Sequence, residues 1–228
     1  MKLVAVGHQM PNTTVQAAQV WAQSLNASLW CVDTAESNNE YFEFSGYQTA
    51  LDRLLVEPES YSFPVLLVND TVFTKRWTAG WLSVFKCLQT IPLRSGGMYA
   101  DVRRLTKDYR YVSSWLYFCS DASSVQTLHD ALQKVELLVK KKELNNSPEV
   151  TALLSTFLHP SNGWSGYAGE LNESSRKRKE QTIRWEHAVS ERIISKIDPF
   201  PWGLHLWSLV VWNVDRFLQR WKWIARKL

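Results

Sequence analysis

The stretch Phe63-Pro64-Val65-Leu66-Leu67-Val68-Asn69-Asp70-Thr71 decides how the rest of the chain is read. Phe63 to Val68 is a continuous apolar run with no polar alternation. A strand wetted on one face alternates, whereas a run like this suits a central parallel strand covered on both faces. Working outward, Leu3 to Val6 and Ser28 to Val32 read as two further short buried strands, the second ending at Asp33. Between them, apolar residues at 15, 18, 21, 22 and 25 have helical spacing, with Thr13 and Thr14 as the expected N-cap. Tyr47, Ala50, Leu51, Leu54 and Leu55 mark one face of a second helix, Ser45 to Val56, ended by Pro58. Further along, a helix is expected at Ala79 to Gln89, a strand at Tyr109 to Cys119 and a long helix at Asp121 to Lys141. Short and long charged helices are expected at Glu149 to Leu158 and Glu173 to Ile197. Alternating strands and helices predict an α/β fold with a mostly parallel sheet flanked by helices.

The 228 residues are 45% hydrophobic and 21% charged, a balance that excludes wholesale disorder. Three cysteines, Cys31, Cys87 and Cys119, are too few and odd in number for a disulfide scaffold, and each sits among apolar residues. They read as reduced core residues of a cytoplasmic protein. There is no Cys-x-x-Cys pair or Cys/His cluster for a structural zinc ion. The apolar run at the N-terminus is too short for a signal-peptide core, and no stretch reaches the ~18 uninterrupted apolar residues of a spanning helix. The net charge is +4. All of it is carried from Pro201 onward, where Arg216, Arg220, Lys222, Arg226 and Lys227 face a single acid, Asp215.

In open α/β sheets, ligands bind beyond the carboxyl ends of the strands. Two expected strands end in acids, at Asp33 and at Asn69-Asp70. Such residues accept from a nucleobase or a ribose hydroxyl, hold a metal, or serve only as turn and helix-cap acids. The segment between them, Ser37-Asn38-Asn39-Glu40-Tyr41-Phe42-Glu43-Phe44-Ser45-Gly46-Tyr47, is polar and aromatic before it enters a helix. A helix start with free N–H groups suits an anionic ligand.

Together, Asn38-Asn39, Phe44-Ser45-Gly46-Tyr47, Ala50-Leu51, the apolar strand, Asn69-Asp70-Thr71 and the later block Tyr111-Val112-Ser113-Ser114-Trp115-Leu116-Tyr117-Phe118 resemble the GT-A glycosyltransferases of family 2. The closest resemblance is to rhamnan synthesis protein F-like members, over roughly residues 3 to 135. It implies a GT-A (Rossmann-like) nucleotide-sugar-binding domain at 1–165 and a helical C-terminal extension at 166–228. It further implies transfer of a sugar from a nucleotide-sugar donor to a lipid-linked or oligosaccharide acceptor, in bacterial surface polysaccharide synthesis such as lipopolysaccharide, O-antigen or capsule. Asp33, Asn38, Asn39, Gly46, Asn69 and Asp70 would contact the donor, and Asp70 would hold a divalent Mg or Mn ion. The family's Val-Asp-Asn-x-Ser-x-Asp run is here only Val32-Asp33-Thr34-Ala35-Glu36-Ser37, and the metal motif has one clear carboxylate. A general base is needed to deprotonate the acceptor hydroxyl. Glu170, in a late acidic stretch before Arg176-Lys177-Arg178-Lys179, is the first choice and Asp101 the second; Glu170 equally suits a helix N-terminus. The basic run at 176–179 is either an acceptor-phosphate contact or a solvated helix face.

The tail is read from its own residues. Trp202, Leu206, Leu209, Val210, Phe217, Trp221 and Ile224 recur at roughly helical spacing among the basic residues. Trp favours the membrane–water interface and Lys/Arg favour anionic headgroups. Trp202, Trp207, Arg216, Arg220, Trp221 and Trp223 are therefore candidate membrane contacts of an in-plane helix. A helix packed on the body, or a dimer contact, explains the same pattern. With the lipid-linked acceptor that the resemblance implies, the membrane reading of the tail predicts a cytoplasmic protein held peripherally at the inner face of the cell membrane. A nucleic-acid partner is not expected, because the body is neutral and has no basic stripe. The alternative to an enzyme is a non-catalytic GT-A-like binding or membrane-surface assembly module.

Overall fold

The computed structural model describes residues 1–34, 43–56, 63–74, 78–92, 94–104, 106–144, 147–157, 173–198, 200 and 202–225. Five strands, β1 Lys2–Gly7, β2 Ser28–Asp33, β3 Val65–Asn69, β4 Met98–Arg104 and β5 Arg110–Cys119, form one sheet in the order β2-β1-β3-β5-β4. β1 pairs in parallel with β2 and β3, as expected for the three short apolar runs. All five residues of β3 are buried, as a central strand requires. β5 departs from the expectation: it pairs antiparallel with both β3 and β4, so the sheet is mixed. β4 was not expected at all. Its Asp101, Arg103 and Arg104 break the apolar run, and as an edge strand it needs only half a buried pattern.

Helices cover both faces. One layer contains α2 (Glu43–Val56), α5 (Ala122–Lys140) and α7 (Glu173–Ile193). There Tyr47, Leu51 and Leu54 pack with Val4, Leu67 and Tyr117 of the sheet and with Trp185 and Val189 of α7. The other layer contains α1 (Asn12–Ser24), a single turn α3 (Thr71–Thr74), α4 (Thr78–Gln89) and α8 (Trp202–Ala225). Trp21, Trp81 and Phe85 pack there on Leu3, Leu66, Trp115 and Phe118, with Leu204 and Val211 of α8. Both helices of the C-terminal region thus complete the two layers. α6 (Pro148–Phe157) packs beside α7 through Val150, Leu154 and Ile183.

The chain passes between the layers around the β4 edge. After α7, a 3-10 turn at Ile194–Lys196 leads to Ile197, which bridges Met98. Asp198 N donates to Met98 O (2.7 Å) and its carboxylate accepts from Met98 N (3.2 Å), so this edge is partly paired by the crossing strap. The starts of α5 and α1 differ in their chemistry. Asp121 caps α5 by accepting from Ser124 N, and Ser124 reciprocates. α1 does not use a threonine cap: the helix begins at Asn12, Pro11 O accepts from Thr14 N and Val15 N, and Thr14 lies buried inside the helix. Cys119 is buried and Cys31 partly so, but Cys87 faces outward on α4 and is not a core residue.

Candidate functional site

α1 and α2 leave the neighbouring strands β1 and β2 toward opposite faces of the sheet. In open sheets the carboxyl ends of strands that diverge in this way are the usual place for a ligand. Asp33 sits there opposite Gly7. Its carboxylate accepts from Gln9 N at 3.0 and 3.1 Å, and Gln9 adopts a left-handed φ of 48° to present that N–H. Thr34 N donates to Gly7 O (2.8 Å), and Thr34 Oγ1 lies 3.1 Å from His8 Nδ1. The loop after β1 is thereby tied to the end of β2.

Asn69 and Asp70 lie one strand away. Asn69 Oδ1 accepts from Thr71 N (2.8 Å) and Asp70 N donates to Val6 O (2.8 Å). Gly7 is required for this approach, because a Cβ there would lie 2.8 Å from Asp70 Cβ and 2.5 Å from Met10 Cγ. Gly46 has a related role in α2. A Cβ at that position would press on Val6 Cγ1 and lie 2.9 Å from Thr34 Cγ2, so Gly46 seats α2 on the strand ends.

A second group of polar residues stands on the α2/α7 face of the same edge. It begins with an irregularity of β5: Ala100 pairs with Tyr117 but Val102 with Val112, so β5 carries extra residues between them. Its backbone donors are satisfied by α7. Val112 N donates to Ser190 Oγ (2.7 Å) and Ser114 N to Glu186 Oε1 (2.7 Å). Ser114 Oγ then lies 3.0 Å from Glu186 Oε1 and 3.3 Å from Glu43 Oε1. Tyr47 OH donates to Ser114 O (2.8 Å). Tyr117 OH is buried without a hydrogen-bond partner among the described residues.

A serine hydroxyl has one proton and cannot donate to two carboxylates. The arrangement is fully satisfied when Ser114 donates to Glu186 and a protonated Glu43 donates to Ser114. The electrostatics agree. Burial, with Glu186 nearby, pushes the Glu43 carboxyl above its ordinary value, against the pull of Lys179 and the Ser114 contact. Tyr47 and Tyr117 are pushed well above the usual phenol range by burial and by Glu43 and Glu186, and Asp70 adds to the effect on Tyr47. Asp70 is therefore within electrostatic reach of Tyr47, whose hydroxyl donates to Ser114 O. Glu43 and Glu186 both keep some exposed surface, so the pair is reachable from solvent. Beside it, His187 sits under Tyr111 (4.4 Å between rings) and 2.9 Å from Tyr109 OH, and burial lowers its pKa.

A raised Glu43 pKa has a sign for stability. The folded chain binds this proton more readily than the unfolded chain. Glu43 thus subtracts stability as pH rises from about the ordinary 4.5 through its raised value. Urea unfolding of the wild type and Glu43→Gln between pH 4 and 8 checks this. The difference in unfolding free energy should move in favour of Glu43→Gln as pH increases, and a flat difference would show that the fold does not raise the Glu43 carboxyl.

The expected site residues are therefore divided. Asp33, Asn69, Asp70 and Gly46 come together at the carboxyl edge. Asp101 lies on β4 with Oδ2 bonded by Arg103 Nε (2.7 Å) and by Trp115 Nε1 (2.7 Å) of the α1/α4/α8 layer. Asn38, Asn39 and Glu170 lie outside the described residues. Trp207 donates its indole N–H to Ser83 Oγ of α4 (2.9 Å), and Trp221 is exposed. Trp202, Arg216, Arg220 and Trp223 belong to α8, with their side chains outside what is described. Glu43 and Glu186 were not singled out in the sequence. A signal was present in α7: Glu186 falls on the helical stripe of Ile183, Ser190 and Ile193, where an acid is out of place.

Among the described residues, no group of three or more His, Cys, Asp or Glu side chains could hold a metal ion. These side chains alone do not make up the Mg or Mn site that the resemblance implies at Asp70. No protein-family model, no curated protein and no solved structure matches this chain.

Proposed function

We propose that the chain is a nucleotide-sugar-dependent glycosyltransferase of GT-A type, acting on a glycan acceptor of surface polysaccharide. The observation that carries this reading is the meeting of two groups at one sheet edge. Asp33 ends β2 and Asp70 follows β3, the two parallel strands that flank β1, and the Glu43–Ser114–Glu186 relay meets this edge through Tyr47, whose hydroxyl donates to Ser114 O and which feels the charge of Asp70. The first group suits the donor's base and ribose hydroxyls, which an acid accepts from. The second supplies proton transfer. The acceptor hydroxyl attacks the anomeric carbon, the bond from that carbon to the phosphate oxygen breaks, and the nucleotide leaves with the electron pair. The hydroxyl proton passes to Glu186, whose Oε1 accepts from Ser114 N and Ser114 Oγ in the relay.

Thermal unfolding with UDP, GDP, dTDP and CMP, each with and without Mn²⁺, tests the donor site. A ligand at 100 times its dissociation constant adds about 2.7 kcal/mol, which raises the melting temperature by several degrees in a chain of this size. One nucleotide should produce that shift, and Asp33→Ala should remove it. A shift that needs Mn²⁺ would bring a metal to the diphosphate. No shift with any of the four would overturn the reading, and a shift without sugar transfer would make the chain a binding module.

A further inference from the structure

α8 buries one face and leaves the opposite one uncovered. Leu204, Ser208, Val211 and Asp215 recur every three or four residues and are buried against the body. On the far side of the helix, Leu206, Val210, Phe217 and Trp221, spaced four, seven and four residues apart, are 45, 49, 65 and 62% exposed, flanked by Leu209 at 44%. Among the described residues after Asp215, Phe217 and Trp221 are exposed and Leu218 is half-buried. A row of five large apolar side chains on one helix is a docking surface rather than scattered exposure.

The charge pattern says what kind of surface it meets. Asp215 is the only acid from residue 201 to the end, and it is fully buried. Arg216, Arg220 and Lys222 belong to the same helix, and Arg226 and Lys227 follow it in the chain. The outward side of α8 thus has exposed apolar side chains that reach Trp221, and the helix carries basic residues with no exposed acid. A second copy of the chain would set +4 against +4. An acidic protein groove would offset the charge, but nothing in α8 is shaped by one. An anionic bilayer satisfies both components, because apolar side chains enter the acyl boundary while Lys and Arg stay among the headgroups. The helix is not long and apolar enough to cross a membrane.

We infer that α8 is an in-plane membrane anchor that binds anionic lipid through Leu206, Leu209, Val210, Phe217 and Trp221. Trp207, tethered to Ser83, helps hold the helix on the body. This inference does not depend on the sugar chemistry. It also fixes the orientation of the molecule, with the α1/α4/α8 layer toward the lipid and the α2/α5/α7 layer facing away.

Vesicle flotation of the full chain tests it, using phosphatidylcholine alone and phosphatidylcholine with about one-third phosphatidylglycerol, at low and high salt. The full chain should float with the anionic vesicles and be released by salt. Phe217→Asp/Trp221→Asp should lower partitioning by about 100-fold, since two apolar anchors are lost and two repelled charges gained. Its melting temperature should match the wild type, because both side chains are exposed. A chain that ignores anionic vesicles overturns the inference. So does a double variant that floats like the wild type, or a wild-type dimer in solution that the double variant dissolves.

Discussion

Glu186→Gln is expected to lower sugar transfer by about 10²–10⁴-fold, the usual contribution of a positioned base, while Glu43→Gln lowers it far less. The asymmetry follows from the single proton of Ser114. Its Oγ lies 3.0 Å from Glu186 Oε1 and 3.3 Å from Glu43 Oε1, and burial raises the Glu43 carboxyl, so a proton on Glu43 frees Ser114 to donate to Glu186. Gln at 43 imitates that protonated acid, because its amide can donate to Ser114 Oγ as the acid does. Gln at 186 still accepts from Ser114 N, so β5 stays attached to α7, but it cannot take up a proton. The measurement is turnover of whichever nucleotide sugar is identified by thermal unfolding, followed across pH. Equal losses in the two variants would mean that the pair does not divide its roles in this way. Full activity in Glu186→Gln would remove the base from this site altogether.

Gly46→Val is expected to destabilise the fold by about 3 kcal/mol, lowering the melting temperature by roughly 6–12 °C. In an ordinary helix interior, replacing Gly by a residue with a side chain gains stability, by up to ~1 kcal/mol for Ala. Here the sign reverses, because even the first carbon meets Val6 Cγ1 and Thr34 Cγ2. Val6 is wholly buried in the middle strand of the parallel trio and has nowhere to move. Gly46→Ala should therefore also lose stability. Combining Gly46→Val with Val6→Ala should recover part of the loss, a non-additive result that a double-mutant cycle reads directly. If Gly46→Ala melts higher than the wild type, the close approach of α2 to the strand ends is not a constraint on the fold.

Uninterrupted apolar runs fixed three strands in advance, since burial on both faces demands them of β1, β2 and β3. Helical spacing likewise located α2, α4, α5 and the bulk of α7 and α8. Pairing direction was not legible for β5. An apolar run is the same read either way, and only the ladder with β3 decides that it is antiparallel. β4 was hidden for another reason: an edge strand whose outer half carries Asp101, Arg103 and Arg104 has no apolar period to find.

The site divides along the same line. Asp33 and Asp70 were visible because they end strands, and strand ends are local features. Asp101 looked equally available as a base, yet its carboxylate is bonded by Arg103 and by Trp115, fourteen residues away. Glu43, Ser114 and Glu186 are brought together from α2, β5 and α7 by an irregular stretch of β5 whose N–H groups needed partners. Composition and periodicity determined the strands, the helices and which acids end them. Tertiary structure alone decided which carboxylates share a proton, because that depends on distances between residues 71 and 72 positions apart in the chain.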